Sequence, residues 1–261
     1  MGPGRNGDGW GSIGRRLAYL GGALGWGAAA FVRRPGAVLV QFERVALGSL
    51  PLAMAAGLSV GLVTWLQLHR LLVAYGIEST LPSVLVASVL VETGPMLASL
   101  LVAGRLGAGL AAELGSMRLT EEIDALSVLG SPIVPNLVGP RVAACGLAVP
   151  LLTVALDGSA VLGGLIAEGV AGSISGEAFL RHAMDFVRLS DVVPATLKTI
   201  AFGVLVGVVG CGVGLAAERS TEAVGRAATR GVVRSMLAVF AADVVLVPLL
   251  QGVVAAMGWT T

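Results

Sequence analysis

Charged residues are scarce in this chain, and their scarcity indicates its broad class. Only 13% of the 261 residues are Asp, Glu, Lys or Arg, whereas 56% are hydrophobic. A soluble domain usually carries about 25% charged residues, so this composition cannot cover a core with a water-facing surface. The mean hydropathy of +0.89 points the same way. We therefore expect an integral membrane protein.

Lysine is nearly absent, which bears on how the protein could use ATP. Lys198 is the single lysine, and its neighbours Leu197 and Ile200 are apolar. The phosphate-binding loop of P-loop ATPases requires GxxxxGK[ST], and no such motif surrounds Lys198. Any ATP-driven work is therefore expected to be done by a partner.

Residues for other chemistry are also few. Cys145 and Cys211 lie in apolar segments without CxxC spacing, so we expect small buried residues and no metal or redox pair. No basic run with interleaved aromatic residues points to nucleic acid. Residues 57–61 (GLSVG) match GxSxG, but that motif needs a strand-to-helix turn, whereas this match lies in a helix-length apolar segment. We expect no catalytic residue, no metal and no cofactor.

Five segments are long and apolar enough to cross a membrane: residues 45–68, 83–117, 142–166, 192–216 and 232–257. The second would exceed the bilayer if straight, so we expect a kink or break at Gly94-Pro95, or an end that projects into water. Residues 12–33 have apolar residues at helical spacing between basic pairs, which predicts a helix in the membrane interface.

Arginines predict the orientation. With the N-terminus in the cytoplasm, twelve arginines fall on the cytoplasmic side and three on the other. This bias is typical of membrane proteins, whose cytoplasmic segments are enriched in Lys and Arg. The twelve are Arg5, Arg15, Arg16, Arg33, Arg34, Arg44, Arg118, Arg141, Arg219, Arg226, Arg230 and Arg234, and the three are Arg70, Arg181 and Arg188.

The second span carries a row of small residues and is followed by an acidic segment. A small-residue face lets another helix approach closely in a bilayer. The row consists of Ala103, Gly107, Ala111 and Gly115, with Gly104 beside it.

In the acidic segment, Thr120 is expected to be the N-cap of a short helix whose first turn favours negative charge. The acidic residues are Glu121, Glu122 and Asp124, and the apolar face is Leu119, Ile123, Leu126 and Leu129. This helix is either an ordinary interfacial loop or a docking element for a cytoplasmic partner.

Six charged residues fall in or at the edge of the apolar spans. Charges at membrane depth are costly, so they normally face a bundle interior, a cavity or one another. They either hold helices together or form a functional site. Arg105 and Glu113 are about 12 Å apart along one helix and cannot pair directly. The six are Glu92, Arg105, Glu113, Asp157, Lys198 and Asp243.

Four motifs together closely resemble the MlaE/YrbE family, the permease subunits of lipid-transporting ABC systems that work with MCE-domain proteins. They are ETGP at residues 92–95, AGRLG at 103–107, AAELG at 111–115 and TEEIDAL at 120–126. The resemblance continues through Pro140-Arg141 and Gly225-Arg226 to Asp243, and covers residue 42 to the C-terminus.

The resemblance implies an all-α integral membrane protein: an N-terminal interfacial amphipathic helix, five transmembrane helices, and a cytoplasmic coupling helix between the second and third spans. Residues 1–40 would form the tail and interfacial helix, and residues 41–261 the permease domain. The protein would be a multi-pass homodimer in the inner (cytoplasmic) membrane. The small-residue face would pack this dimer.

The resemblance also implies partners and sites. The helix around Thr120 to Leu129 would dock in a groove of a cytoplasmic ABC ATPase subunit, through Thr120, Glu121, Glu122, Asp124 and Leu126. A lipid substrate would pass between the protomers towards an MCE-domain protein on the periplasmic side. Some relatives carry a basic residue where this chain has Val91. The positions matching the lipid cavity are Gln67, Leu71, Leu72, Tyr75, Glu92, Lys198 and Asp243.

Two functions remain open on this basis. The chain is either a permease that moves phospholipid or a related lipid between the inner membrane and the envelope, or a membrane anchor for an MCE complex without a lipid pathway of its own. The sequence leaves open the lipid, the direction of transport and whether the second protomer is identical.

Overall fold

A computed structural model of the chain describes residues 21–23, 25–31, 33–171, 174–187 and 189–256. Across these residues the backbone is helical nearly throughout, and it contains no strand. The all-α prediction is confirmed. Half of the segment 12–33, where an interfacial helix is expected, lies outside the described residues; within it, residues 21–23, 25–31 and 33 are helical. The domain boundary at residue 40 stays a prediction.

Eight α-helices follow one another along the described chain from residue 35 onward. The helices are α1 Pro35–Tyr75, α2 Leu81–Ser88, α3 Gly94–Leu119, α4 Glu122–Val128, α5 Gly139–Ala171, α6 Gly176–Phe186, α7 Leu189–Leu215 and α8 Thr221–Ala256. Five helical stretches are long and apolar enough to span a membrane, as predicted. The predicted bounds missed the starts of two spans, because α1 begins ten residues earlier than residue 45 and α8 eleven earlier than residue 232.

The second span combines α2, a π-helical turn at Val89–Thr93, and α3. The turn ends directly before Gly94-Pro95, and the Gly94 N–H donates to the Val89 carbonyl oxygen. A proline has no N–H and its ring displaces the carbonyl of the preceding turn, so a wider turn accommodates it. The expected break is therefore a π turn within a continuous span of 42 residues, Glu78–Leu119, which begins with the short 3-10 turn Glu78–Thr80. At about 60 Å this span is longer than the hydrocarbon core.

Glycines bring pairs of long helices into backbone contact. A Cβ at Gly57 or Gly61 of α1 would collide with the Leu156 or Ala160 carbonyl oxygen of α5. In a bilayer, packing of this kind drives association of helices, because lipid tails are as apolar as the side chains. The α1–α5 pair is therefore held by close backbone approach.

The small-residue row of α3 packs in the same way, but within its own chain. A Cβ at Gly107 would lie 2.9 Å from the Gly231 carbonyl oxygen of α8, and one at Gly104 would lie 3.3 Å from the Met236 side chain. Ala103 and Ala111 are fully buried, and Gly115 is buried beside Ala217. The expectation that this row packs the dimer is therefore corrected, since intrachain helices already occupy it.

Candidate functional site

Lys198 is the centre of a charged cluster formed by three membrane-spanning elements. Its Nζ lies 2.7 Å from Glu92 Oε2, to which it donates a hydrogen bond, and 3.3 Å from Asp243 Oδ1. The contact with Asp243 is an ion pair by distance, but its geometry does not make a hydrogen bond. Glu92 and Asp243 are 106 and 45 positions away from Lys198 in the sequence. The packing of α7 against the second span and against α8 brings the three residues together.

Exposure differs sharply among the three charged residues. The Lys198 side chain is 3% exposed and that of Asp243 is 14% exposed, whereas that of Glu92 is 44% exposed. Glu92 belongs to the π turn at Val89–Thr93, so the irregular backbone before Pro95 positions the accessible carboxylate. One cation faces two anions, and the cluster therefore presents negative charge on its open side. Such a site can accept hydrogen bonds from a hydroxyl or amine group.

The other residues that the resemblance points to lie near the end of α1. Gln67, Leu71 and Tyr75 are exposed and follow one another at four-residue spacing, so they share a helix face. Leu72 is 6% exposed and packs in the core with Leu81. Leu72 therefore lies in the core, whereas Gln67, Leu71 and Tyr75 are accessible at the surface. None of the three exposed residues forms a hydrogen bond with the charged cluster within the described chain.

The predicted coupling helix is present as α4, but it begins later than expected. Thr120 completes the last turn of α3: its N–H donates to the Ser116 carbonyl oxygen over 2.9 Å, and its hydroxyl contacts Glu122 Oε1 at 2.9 Å. The residue that precedes α4 is Glu121, which adopts a left-handed conformation with φ of 62° and makes the corner between the two helices. The prediction that Thr120 is the N-cap is wrong, because α3 continues through Leu119.

α4 is tied to the connection between α7 and α8. Arg219 forms ion pairs with Asp124 and, at 3.5 Å, with Glu121. Ile123 is 6% exposed and faces inward, and Leu126 is half-buried. At the far end Val128 is 87% and Leu129 is 79% exposed. The expected apolar face is therefore divided, since Leu129 points outward and forms an apolar tip with Val128.

The other charged residues within the spans, Arg105, Glu113 and Asp157, are not part of the charged cluster. Arg141 donates to Glu113 Oε1 over 2.8 Å, and Arg105 donates to the Ser49 hydroxyl over 2.9 Å. Arg105 and Glu113 thus have different partners, in agreement with their separation along α3. No residue in the described part of the chain donates a hydrogen bond to the buried Oδ1 of Asp157.

One polar contact was not anticipated from the sequence. Glu168, 1% exposed, accepts hydrogen bonds from the Trp65 indole N–H and the Ile174 N–H, both over 2.8 Å. Trp65 also stacks on His69 with ring centroids 4.5 Å apart. Trp65 and Glu168 are 103 positions apart, and no local spacing rule connects them.

Comparison with known proteins assigns the chain to a family. A family model described as Permease MlaE matches residues 38–249, which include α4 and all three residues of the charged cluster. The chain belongs to the MlaE permease family. A probable ABC transporter permease protein of Synechocystis is 37% identical over 202 residues, covering 77% of each chain. One from Rickettsia typhi is 31% identical and covers 82% of each chain.

A plant protein is similar as well. Protein TRIGALACTOSYLDIACYLGLYCEROL 1, chloroplastic, of Arabidopsis thaliana is 34% identical over 213 residues, which are 80% of this chain and 59% of the plant protein. With the five membrane-spanning stretches, these similarities identify the MlaE-family chain as a multi-pass membrane protein and a transporter permease.

Proposed function

We propose that this MlaE-family permease moves phospholipid or a related lipid between the inner membrane and the cell envelope, driven by a separate ABC ATPase subunit. Two similarities support this function: the match to the MlaE permease model, and the relative in Arabidopsis that bears the name of a glycolipid. The observation that carries the proposal is the cluster of Glu92, Lys198 and Asp243 inside the membrane spans.

The cluster supports lipid transport for an energetic reason. Ionisable groups at membrane depth are expensive and usually mark a pathway or a binding site. A cluster that only joined helices would gain nothing from an accessible carboxylate, yet the Glu92 side chain is 44% exposed. We therefore assign Glu92 to contact with the polar part of the lipid, and Lys198 and Asp243 to holding Glu92 in place. The exposed apolar residues Leu71 and Tyr75, with Gln67, would contact the rest of the molecule.

α4 is the proposed docking element for the ATPase. Its apolar tip, Val128 and Leu129, is exposed, and apolar side chains in such a position are suited to burial against a partner. Arg219 links α4 to the connection between α7 and α8, the two helices that carry Lys198 and Asp243. Movement of the docking element would therefore reach the charged cluster through these helices.

The proposed assembly is a homodimer with the lipid pathway between the protomers and an MCE-domain protein on the periplasmic side. The arginine distribution supports a cytoplasmic N-terminus and, with it, a position of α4 on the side where an ATPase works. The membrane-spanning window of α8 is only 6% buried within the chain, and Leu237, Val244 and Leu249 are exposed on it. This apolar surface is available for a second protomer or for lipid.

The test is ATP-dependent lipid transfer by the reconstituted complex. Permease, ATPase and MCE-domain protein would be placed in proteoliposomes with a fluorescent phospholipid, and transfer would be compared with ATP and with a non-hydrolysable analogue. Transfer that needs hydrolysis and is lost in Glu92→Ala supports the permease. If the assembled complex hydrolyses ATP but transfers no lipid, and no lipid co-purifies with it by mass spectrometry, the chain is instead a membrane anchor for the MCE complex.

A further inference from the structure

A concavity lies among α5, α6, α7 and the second span, lined by residues other than those of the charged cluster. Its volume is about 380 Å³, within the range of small-molecule sites. The lining is almost entirely apolar and includes Leu90, Val154, Gly158, Leu162, Leu180 and Met184. The amphipathic helix α6 contributes its apolar side chains to the pocket, while Glu177 and Arg181 pair with each other on its exposed side.

Asp157 is the only ionisable residue among the described residues that line this pocket. Its Oδ1 is buried without a hydrogen-bond partner, packed against Gly94, and the side chain forms no ion pair with any described residue. The hydroxyl groups in the lining are satisfied, since Thr153 and Thr199 donate to carbonyl oxygens of their own helices. Because Oδ1 is packed against Gly94, a ligand in the pocket would reach the carboxyl group from its other oxygen. A hydrogen-bond donor there would give Asp157 a partner that the described residues do not supply.

The surroundings limit what this ligand can be. Val154 and Leu162 are 68% and 52% exposed at the pocket and belong to a membrane-spanning helix, so the medium that reaches the opening is lipid. Among the residues that the structure describes, no basic side chain lines the pocket, and a carboxylate repels a phosphate group. The complementary molecule is apolar, uncharged and carries a hydrogen-bond donor.

We propose that this pocket is a second lipid site, which binds an uncharged lipid with a free hydroxyl group, such as a diacylglycerol. The hydroxyl donates to Asp157, and an acyl chain lies along Val154 and Leu162. The site is separate from the transport pathway proposed above and does not depend on it. Its test therefore uses the permease alone, without the ATPase or nucleotide, so that failure of one proposal is distinguishable from failure of the other.

The experiment is photolabelling of the full-length permease in phosphatidylcholine nanodiscs. The probe is dioleoylglycerol with a diazirine in one acyl chain, and labelled peptides are mapped by mass spectrometry. A phosphatidylcholine probe with the same diazirine chain serves as the comparison. We expect the dioleoylglycerol probe to label peptides of α5 and α6 that line the pocket, and unlabelled dioleoylglycerol to compete.

A matched pair of glycine variants separates pocket binding from general lipid contact. A Cβ at Gly158 would meet no other atom within 4 Å, and the same holds for Gly169 on the same helix. Gly158 lines the pocket and Gly169 does not. Gly158→Leu therefore fills the pocket without a backbone collision and is expected to abolish most of the labelling, whereas Gly169→Leu should label as the wild type does.

Asp157→Ala tests the hydrogen bond itself. Loss of this hydrogen bond is expected to reduce labelling by the dioleoylglycerol probe about tenfold, without changing labelling by the phosphatidylcholine probe. Equal labelling of the pocket peptides by both probes, insensitive to this variant, would overturn the proposal, as would absence of labelling there in the wild type. If Asp157→Ala does not fold, competition in the wild type decides: dioleoylglycerol must displace the probe, and equal displacement by phosphatidylcholine contradicts the proposal.

Discussion

Lys198 Nζ and Glu92 Oε2 lie 2.7 Å apart and join the middle of α7 to a π turn of the second span. The lysine is almost fully buried and the glutamate is nearly half exposed, so the pair has one end in the protein interior and one end open. Such a pair fixes the position of an accessible carboxylate that would otherwise move freely. Its proposed role in lipid binding can be separated from a purely structural one.

Lys198→Met is expected to destabilise the permease and stop transport. The substitution leaves the mostly buried Asp243 without its cation, whereas Glu92 stays half exposed, so we expect a cost below the ~3–5 kcal/mol of breaking a fully buried pair. Thermal unfolding in detergent measures the first effect, and ATP-dependent lipid transfer the second. Leu197→Ala, at the neighbouring exposed position, is the control and should change neither quantity much.

Neutralising the whole cluster then distinguishes the two roles. The triple variant Glu92→Gln, Lys198→Met, Asp243→Asn contains no unpaired charge, so we expect it to regain most of the lost stability. Transport should not return, because the carboxylate proposed to contact the lipid is missing. Recovery of both stability and transport would mean that the cluster only holds helices together.

Val128→Asp is expected to weaken binding of the ATPase without unfolding the permease. Val128 is 87% exposed at the tip of α4, so a carboxylate there remains hydrated in the free protein but would be buried against the partner. Leu126→Asp should act in the same direction. Co-purification with the ATPase is the measurement. The matched control is Val170→Asp, which changes an equally exposed valine (86%) at the end of α5. Equal binding by both variants would contradict the docking assignment.

Asp124→Arg is expected to uncouple ATP hydrolysis from transport by placing a second cation beside Arg219. Both side chains are about half exposed, so the lost ion pair should cost less than about 1 kcal/mol of stability. Hydrolysis and lipid transfer would be measured on the same preparation. Adding Arg219→Asp restores the pair with its charges exchanged. If the exchanged pair restores coupling, Asp124 acts through Arg219; if it does not, Asp124 contacts the ATPase directly.

Gly107→Ala is expected to destabilise the permease by about 1–3 kcal/mol. Its Cβ would lie 2.9 Å from the Gly231 carbonyl oxygen, so α3 and α8 would have to separate. Gly109→Ala on the same helix is the control, because a Cβ there meets no atom within 4 Å. The control should be neutral or slightly stabilising, since alanine favours a helix over glycine. Thermal unfolding compares the two, and equal melting temperatures would show that the contact is not tight.

The sequence predicted the membrane class, the five spans and the presence of α4, because each depends on local composition or period. Some span ends were missed because helices such as α8 extend beyond the apolar segment into polar residues such as Thr229. A prediction based on hydropathy assigns only the apolar residues to the span. The Thr120 N-cap was wrong for a related reason: a capping residue type does not show whether the preceding helix has ended.

Contacts between distant residues could be predicted only in part. The charged residues within the spans were identified as candidates, and the resemblance grouped Glu92, Lys198 and Asp243. No spacing in the sequence showed that Lys198 lies between the two acids, that Glu168 accepts from Trp65, or that Arg141 pairs with Glu113. These pairings depend on how helices cross, and crossing is set by where glycines permit close approach.

The glycine contacts also have a mechanical consequence. Where the carbonyl of one helix sits against the glycine of another, as at Leu156 with Gly57 and at Gly231 with Gly107, neither helix can slide along its neighbour without first moving apart. Both contacts lie inside one chain and oppose sliding of one helix along the other. A protomer built in this way is expected to rotate or tilt as a single body. The boundary that opens and closes during transport would then be the one between chains.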